Sequence, residues 1–248
     1  MKATRLDQVF DEDSRQIHSN YSHIGHMYTG AFSEYYYKRF DQALRCSNVD
    51  GSDRVLIVGG GTGVFALTLV DLVDELVFND LAREDPLFAT VRSIFDLASV
   101  DDENLRYVAA DVEDLPFKSN TFDVVFALDV LEHVPDENSG IKEIYRVTKD
   151  GGSTIISAPI EIGPAMAVRE GYRFIDGRRH NVESISEFFE SLIGNPPLEK
   201  NQHHRGYDYR QTTALLRSYF SDVFVEYCPY PNLRWLNPTA IISAELDP

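Results

Sequence analysis

The sequence contains little cysteine, little lysine and no long apolar run, and each shortage narrows the class of protein. Its two cysteines, Cys46 and Cys228, lie far apart, so we expect reduced, packed thiols and no metal site. Lysine supplies only 6 of the 23 basic residues. Asp and Glu number 40, and the resulting net charge of −17 repels nucleic acid and anionic membranes. The segment MKATRLDQVFDEDS lacks the apolar core of a signal peptide, which predicts a cytoplasmic protein.

The segment from Val55 to Val70 carries no charged residue and reads VLIVGGGTGVFALTLV. A membrane-spanning helix needs about 18 apolar residues, whereas this run is shorter and holds four glycines within five positions. Its first four residues are an apolar run of strand length, and apolar residues return at helical spacing from Phe65. The pattern therefore predicts a buried strand, a glycine turn and a helix.

Strands and helices alternate between residues 54 and 160, which predicts a doubly wound, Rossmann-like α/β fold with helices on both faces of a parallel sheet. The predicted strands are RVLIV, ELVFN, LRYVAA, FDVVFAL and STIISAP, and the predicted helices cover 62–74, 86–98 and 141–148. Two further strands, VFVEY and TAIISAEL, follow a helix near 209–220. Because no helix separates these two strands, they should pair antiparallel.

Two regions interrupt this alternation. Residues 8–50 are predicted to be helical and are rich in aromatic side chains. Residues 161–206 contain Gly163-Pro164, Gly177 and an NPP turn, which predict an inserted lid or substrate segment. We therefore expect an N-terminal helical cap, 1–50, and a main domain, 51–248, with a lid insertion at about 161–206.

The glycine turn is a candidate ligand site because ligands bind an open parallel sheet at the carboxyl ends of its strands. Gly59, Gly61 and Gly63 lie there, ahead of the free N–H groups of a helix. The third glycine of the dinucleotide fingerprint would fall at Val64, so the spacing is G-x-G-x-G, and no lysine of a phosphate loop follows. A purely structural turn is the alternative.

Two carboxylates close the next two strands. Asp80 stands 21 residues after Gly59, where a carboxylate accepts hydrogen bonds from ribose hydroxyls; capping the next helix is its alternative role. Asp111 can accept from an adenine amino group while Val112 covers the ring; a turn residue is the alternative. Three successive strand ends that each offer a suitable group predict one adenosine-binding hollow.

The stretches VLIVGGGTG, DVEDLPFKSNTFDVVFALDVLEHVPD and EIYRVTKDGGSTIISAP resemble successive motifs of class I S-adenosylmethionine-dependent methyltransferases, small-molecule branch. The resemblance is strong over residues 54–160. It implies a seven-stranded sheet, mostly parallel with an antiparallel last strand, and makes 51–248 a methyltransferase domain. It also implies S-adenosyl-L-methionine as cofactor, with the methionine part at Gly59, Gly61 and Gly63, the ribose at Asp80, the adenine at Asp111 and Val112, and the sulfonium beside Ala127 and Leu128.

One position departs from the family pattern. The acidic residue that usually stands two positions before the first glycine is Ile57 here, so an indirect anchor for the cofactor's amino group is missing. Asp129 or an N-terminal side chain is a candidate substitute. The departure keeps open a cofactor-binding protein without activity, and an NAD-dependent oxidoreductase is a further alternative that the glycine spacing disfavours.

The acceptor side is predicted from histidines, tyrosines and arginines. His133 follows the fourth strand on the cofactor side and is the candidate general base, with a loop-holding histidine as the alternative. Four arginines against two acids give residues 169–180 a local charge of +2, and arginine forks match carboxylates and phosphates. Ion pairing within the acidic surface is the alternative. The predicted acceptor-binding residues are Tyr28, Arg178, Arg179 and His204.

These features predict an enzyme that transfers a methyl group from S-adenosylmethionine to a small or medium-sized acceptor. Oxygen is the expected receiving atom, and an anionic acceptor is a candidate. We expect no nucleic-acid partner, no membrane span and a monomer or homodimer.

Overall fold

The structure, a computed structural model, describes residues 1–9, 33–81, 86–175, 182–197 and 206–248. Within those residues seven strands form one sheet: β1 (Arg54–Val58), β2 (Glu75–Asp80), β3 (Leu105–Ala109), β4 (Phe122–Leu128), β5 (Thr148–Pro159), β6 (Asp222–Cys228) and β7 (Thr239–Glu245). Their order is β3-β2-β1-β4-β5-β7-β6. Strands β1 to β5 pair in parallel, and β7 runs antiparallel to both β5 and β6. The predicted mostly parallel sheet with an antiparallel last strand is confirmed.

The helices lie on both faces of this sheet. Over the described residues they are α1 (Leu6–Val9), α2 (Ser33–Ser47), α3 (Ala66–Leu69), α4 (Pro86–Ala98), α5 (Glu137–Val147), α6 (Gly163–Ile175), α7 (Ile185–Leu192) and α8 (Tyr209–Tyr219). Short 3₁₀ turns cover Val70–Leu72, Leu131–His133 and Arg234–Leu236. In this part of the chain no helix combines the length and the apolarity that crossing a membrane requires.

The side chains of β1 alternate between two cores, as the period of a strand dictates. Val55 and Ile57 point to one face, where they pack with buried side chains of α2, α3 and α4. Leu56 and Val58 point to the other face, where α5 and α8 supply the buried partners. Because both faces are covered, β1 is apolar from Val55 to Val58 rather than alternating, which is typical of a central parallel strand.

Two helices differ from their predicted bounds, and each has a local cause. The helix predicted over 62–74 is regular only in α3, because the glycine turn extends through Gly63 and the chain tightens into a 3₁₀ turn after Leu69. Helix α5 begins at Glu137 instead of Ile141. Its start is set by Asp136, whose carboxylate accepts hydrogen bonds from two N–H groups of the first turn, at 3.1 and 3.3 Å.

The described part of the predicted N-terminal cap packs on the sheet. Helix α2 contributes Tyr37, Phe40 and Leu44 to the first core, and the Tyr37 hydroxyl accepts a hydrogen bond from the N–H of Leu6 at 2.8 Å. Helices α6 and α7 lie in the region predicted to be a lid. The boundary at residue 50 and the lid at about 161–206 stay predictions.

Candidate active site

The glycine turn after β1 lies at the carboxyl edge of the sheet, packed on one side and open on the other. Gly59 has a φ of 60°, and a Cβ built there would lie 2.5 Å from a γ-methyl of Val130. Gly61 has a φ of 55°, yet no atom of the described residues lies within 4 Å of a Cβ built on it. Both backbone conformations are strained for other residues, and the space beside Gly61 lets a ligand approach the main chain closely.

Asp80 meets the glycine turn from the end of β2. Its Oδ2 accepts a hydrogen bond from the N–H of Gly61 at 2.9 Å, and its Oδ1 accepts one from the N–H of Leu81 at 2.8 Å. These bonds hold the half-buried carboxylate beside the open part of the turn. The structure therefore brings together the two features on which the ribose-binding prediction depends.

Asp111 lies at the same edge, one strand further along. The buried side-chain amide of Asn79 joins the ends of β2 and β3 by donating to two carbonyl oxygens, at 3.2 and 3.0 Å. The N–H of Ala110 donates to the carbonyl oxygen of Asp80 at 3.1 Å, and Oδ1 of Asp111 accepts from the N–H of Glu113 at 3.1 Å. Asn79, which the sequence reasoning did not single out, thus helps to set the spacing between the two strand ends.

The other predicted cofactor residues contribute in different ways. Val112 is 7% exposed and packs in the second core, under the strand edge. Ala127 is fully buried in that same core, so only its backbone can face a cofactor. Leu128 is half-buried and packs against the first core, on the opposite face of the sheet.

An arginine from the N-terminal segment reaches the end of β4. Asp129 follows β4 with a φ of 56°, and its Oδ1 accepts a hydrogen bond from the Ser157 hydroxyl at 2.6 Å. Its other carboxylate oxygen forms an ion pair with Arg39 of α2. The guanidinium of Arg39 stacks 4.9 Å from the centre of the Tyr36 ring, and its side chain is only 7% exposed.

A cavity of about 290 Å³ lies between the 3₁₀ turn after β4, the start of α5 and the start of α8. It is lined by both apolar and acidic side chains, among them Leu131, Glu132, Glu137, Tyr207, Gln211 and Leu215. Over the described residues no three His, Cys, Asp or Glu side chains are grouped as metal ligands. Because β1 and β4 are parallel, this cavity and the glycine turn both follow the carboxyl edge of the sheet, although no residue of the glycine turn is among the described residues that line the cavity.

Glu132 is a buried carboxyl in the wall of this cavity. Burial raises the pKa of its carboxyl from 4.5 to about 8, against the lowering effect of a backbone hydrogen bond and of the Arg39 charge. The negative charges of Glu161 and Glu137 raise this pKa further. A carboxyl with such a pKa exchanges its proton near neutral pH, which is the range a general base needs.

Tyr207 lies beside Glu132 in the cavity wall. Burial, followed by the negative charges of Glu132 and Glu137, holds the pKa of its phenol well above the usual value, so the hydroxyl keeps its proton. Its oxygen lies 2.7 Å from the hydroxyl oxygen of Thr212, which in turn donates to the carboxylate of Glu137. This chain of hydrogen bonds fixes the ring of Tyr207 just before the start of α8.

His133, the predicted base, occupies the last position of the 3₁₀ turn, and its side chain is exposed. Its backbone N–H donates to the carbonyl oxygen of Val130 at 2.9 Å. The pattern LEHV contains both Glu132 and His133, but spacing within so short a turn does not tell which of the two faces the interior. His133 stays a prediction, and Glu132 joins it as a second candidate base.

The predicted acceptor-binding residues Tyr28, Arg178, Arg179 and His204 lie outside the described residues. Arg169, from the same arginine-rich stretch, is described: its guanidinium forms an ion pair with Glu161 and donates to the carbonyl oxygen of Pro238 at 2.8 Å. For that residue the ion-pairing alternative is the one observed.

The sheet order, the open glycine turn and the acids that end β2 and follow β3 are features of the class I S-adenosylmethionine-dependent methyltransferase fold. The cofactor fits these residues, since the space beside Gly61 leaves room for a ligand next to two carboxylates that can accept from its hydroxyl and amino groups.

Comparison with known proteins supports this class. Residues 56–156 match a family model described as "Methyltransferase domain". The chain is similar to the ubiquinone/menaquinone biosynthesis C-methyltransferase UbiE of Haemophilus ducreyi, with 35% identity over 123 residues that cover 48% of this chain and 46% of that protein. The same enzyme of Pasteurella multocida is 33% identical over 144 residues, which cover 56% and 52% of the two chains. The chain thus spans about half the length of these curated relatives.

A solved structure shows the same fold. A methyltransferase of Aquifex aeolicus that depends on S-adenosylmethionine superposes with a TM-score of 0.59 and 14% sequence identity, over 91% of this chain and 97% of that one. At 14% sequence identity, the similarity between the two structures shows a shared fold and nothing about the acceptor.

Proposed function

We propose that this chain transfers the methyl group of S-adenosylmethionine to a hydroxyl-bearing small molecule, with oxygen as the receiving atom. The observation that carries the proposal is the cavity at the end of β4, lined by the buried carboxyl of Glu132 and the phenol of Tyr207. This cavity is about 290 Å³, which is at the lower end of the usual size of small-molecule sites.

S-Adenosylmethionine supplies the methyl group on a sulfonium that is already a good leaving group. The chain therefore has to align the acceptor oxygen, exclude water and remove one proton. Alignment in a bound complex can lower the barrier by roughly 7–11 kcal/mol. Glu132 accepts the hydroxyl proton, which contributes about 10²–10⁴-fold. Tyr207 donates its only proton to Thr212, so its oxygen can help to orient the acceptor by accepting a hydrogen bond.

The anionic acceptor expected from the sequence would be recognised by the lid. Arg169 is engaged by Glu161, so the recognition of a carboxylate or phosphate is assigned to Arg178 and Arg179.

Methyl transfer to carbon is the second candidate. The relatives named above are C-methyltransferases of quinone biosynthesis. Large apolar side chains of α6 and α7, and of the residue that follows α7, are also exposed, which favours an apolar acceptor: Val168, Phe174, Ile185, Phe189 and Ile193. A deprotonated phenol carries charge on its oxygen and on its ring carbons, so the same base serves both reactions.

The test uses S-adenosylmethionine with an isotope-labelled methyl group and a panel of hydroxylated aromatic and aliphatic metabolites, with and without carboxylate or phosphate groups. We expect labelled product from at least one member of this panel, with the label on oxygen in the NMR spectrum. A label on carbon would favour the second candidate. Calorimetric binding of NAD instead of S-adenosylmethionine, or binding of the cofactor without turnover on any panel member, would contradict the proposal.

A further inference from the structure

Ile57 of β1 occupies the position at which the family usually has an acidic residue, so this position offers no negative charge to a ligand. Ile57 is 3% exposed in the first core and is paired in register with Phe78 of β2 and Phe126 of β4. All three side chains belong to the same apolar cluster. A zwitterionic amino-acid group lying at the glycine turn therefore receives no counter-charge from this strand.

A charged group is available on the neighbouring strand instead. The side chain of Val130 packs against Gly59, so Asp129, which precedes it, is held next to the glycine turn. Asp129 is in the left-handed region with a φ of 56°, and its N–H and Oδ1 are both tied to Ser157, at 3.3 and 2.6 Å. The side chain is nevertheless 33% exposed, so it can still meet a ligand.

The partner of Asp129 is a buried cation with spare hydrogen-bonding capacity. The guanidinium of Arg39 forms an ion pair with Asp129 and lies 4.9 and 5.3 Å from the ring centres of Tyr36 and Phe40. Its Nε is buried and has no hydrogen-bond partner among the described residues. A guanidinium has five N–H donors in a planar fork that matches a carboxylate, so Arg39 can bind a second carboxylate beside Asp129.

We propose that the Arg39–Asp129 ion pair replaces the missing acid of β1 and anchors the amino-acid end of the cofactor. An ion pair is the electrostatic complement of a zwitterion: Asp129 accepts from the ammonium group, and Arg39 donates to the carboxylate. The N-terminal helix α2 thereby becomes part of the cofactor site. The inference rests on the proposed function only through the cofactor and is independent of the acceptor.

The test compares two ligands that share adenosine and sulfur but differ in the amino-acid end, S-adenosylhomocysteine and 5′-methylthioadenosine. Calorimetry on the wild-type chain should show that S-adenosylhomocysteine binds at least about tenfold more tightly, the worth of one charge-assisted hydrogen bond. Asp129→Asn and Arg39→Met should each lose most of this preference, with the affinity for 5′-methylthioadenosine changed less than about twofold. Met keeps the volume of the Arg39 stem while removing its charge.

Asp111→Asn is the matched control, because both ligands contain adenine, and it should weaken both by the same factor. Thermal unfolding checks that each variant is folded. Ser157→Ala, which loosens Asp129 without changing any charge, provides a milder variant and should reduce the preference by a few-fold. Equal affinity of the wild-type chain for the two ligands, or an unchanged preference in the folded variants, would overturn this inference alone. If neither ligand binds, the proposed function fails as well.

Discussion

The carboxyl group of Glu132 is held out of water at the end of β4, and its pKa of about 8 decides when it can act as a base. Below that pH it is protonated and cannot accept a proton from the acceptor. We expect kcat/KM of the wild-type chain to rise with pH through about 8. Glu132→Gln should lose this rise and about 10²–10⁴-fold in rate, because an amide does not take up the proton.

The comparison with His133→Ala separates the two candidate bases. If Glu132 is the base, the larger loss belongs to the glutamine variant and the pH dependence persists in the alanine variant. A larger loss of rate in His133→Ala, together with a wild-type kcat/KM that rises below pH 7, would identify the exposed His133 as the base instead.

The same carboxyl makes stability depend on pH. Its pKa is about 8 in the folded chain and 4.5 as the ordinary value, so between these pH values the folded state keeps a proton that the unfolded state has lost. The free energy of unfolding therefore falls as pH rises through this window, by up to about 1.4 kcal/mol per pH unit. The stabilisation is complete below pH 4.5 and is lost once the pH passes 8.

Urea unfolding at two pH values inside the window measures this effect. Between pH 5.5 and 7.5 the wild-type chain should lose about 2 kcal/mol more than Glu132→Gln, because all other titrating groups are common to both proteins. Parallel changes in the two proteins would show that the carboxyl ionises normally.

At the scale of elements, two glycines of the same turn are expected to have different roles, Gly59 in packing and Gly61 in ligand binding. Gly59 and Gly61 have nearly the same φ, 60° and 55°, so replacement by alanine strains both backbones by about 1 kcal/mol. At Gly59 the new methyl group also meets Val130, at 2.5 Å, which adds about 1–3 kcal/mol of overpacking. At Gly61 the methyl group enters open space, where the cofactor is predicted to lie.

We therefore expect Gly59→Ala to show the larger fall in unfolding free energy and Gly61→Ala the larger loss of cofactor affinity relative to its loss of stability. Denaturant unfolding and calorimetry on the two variants provide both numbers. If the two variants lose stability and affinity in the same proportion, the open side of the turn does not face the cofactor.

The lid is the element that would select the acceptor. If Arg178 and Arg179 bind an anionic group, replacing both with alanine removes two charge-assisted contacts made equally in the ground and transition states. KM for the acceptor should then rise by about tenfold or more while kcat stays nearly constant. Unchanged kinetics would show that these arginines pair with the acidic surface of the chain.

At the scale of the whole molecule, the net charge of −17 acts on any charged ligand that approaches. An anionic acceptor is repelled at long range, and added salt screens this repulsion. With the cofactor saturating, kcat/KM for an anionic acceptor should rise several-fold between about 10 mM and 300 mM salt. Independence from salt would point to an uncharged acceptor and would favour the apolar candidate.

Much of the sheet and part of the site could be predicted from local patterns. Strand β4 has its predicted bounds, and α4 begins and ends where its apolar spacing indicated. That Gly61 and Asp80 lie close together was implied, because Gly61 follows β1 and Asp80 ends β2, and the carboxyl ends of parallel strands share one edge. Hydrophobic periodicity and glycine chemistry act over a few residues, so they can be interpreted without knowing the fold.

The sequence by itself therefore determined the order of strands and helices along the chain and the edge of the sheet at which the glycine turn and Asp80 meet. Only the tertiary structure decided that Arg39 meets Asp129 and that Glu132, not its neighbour in the chain, turns inward beside Tyr207. These contacts join segments far apart in the chain, and they arise from the way α2 and α8 pack on opposite faces of the sheet. The charges and pKa values that matter for chemistry come from that packing, because burial and neighbouring charge set them and neither is a property of a local sequence pattern.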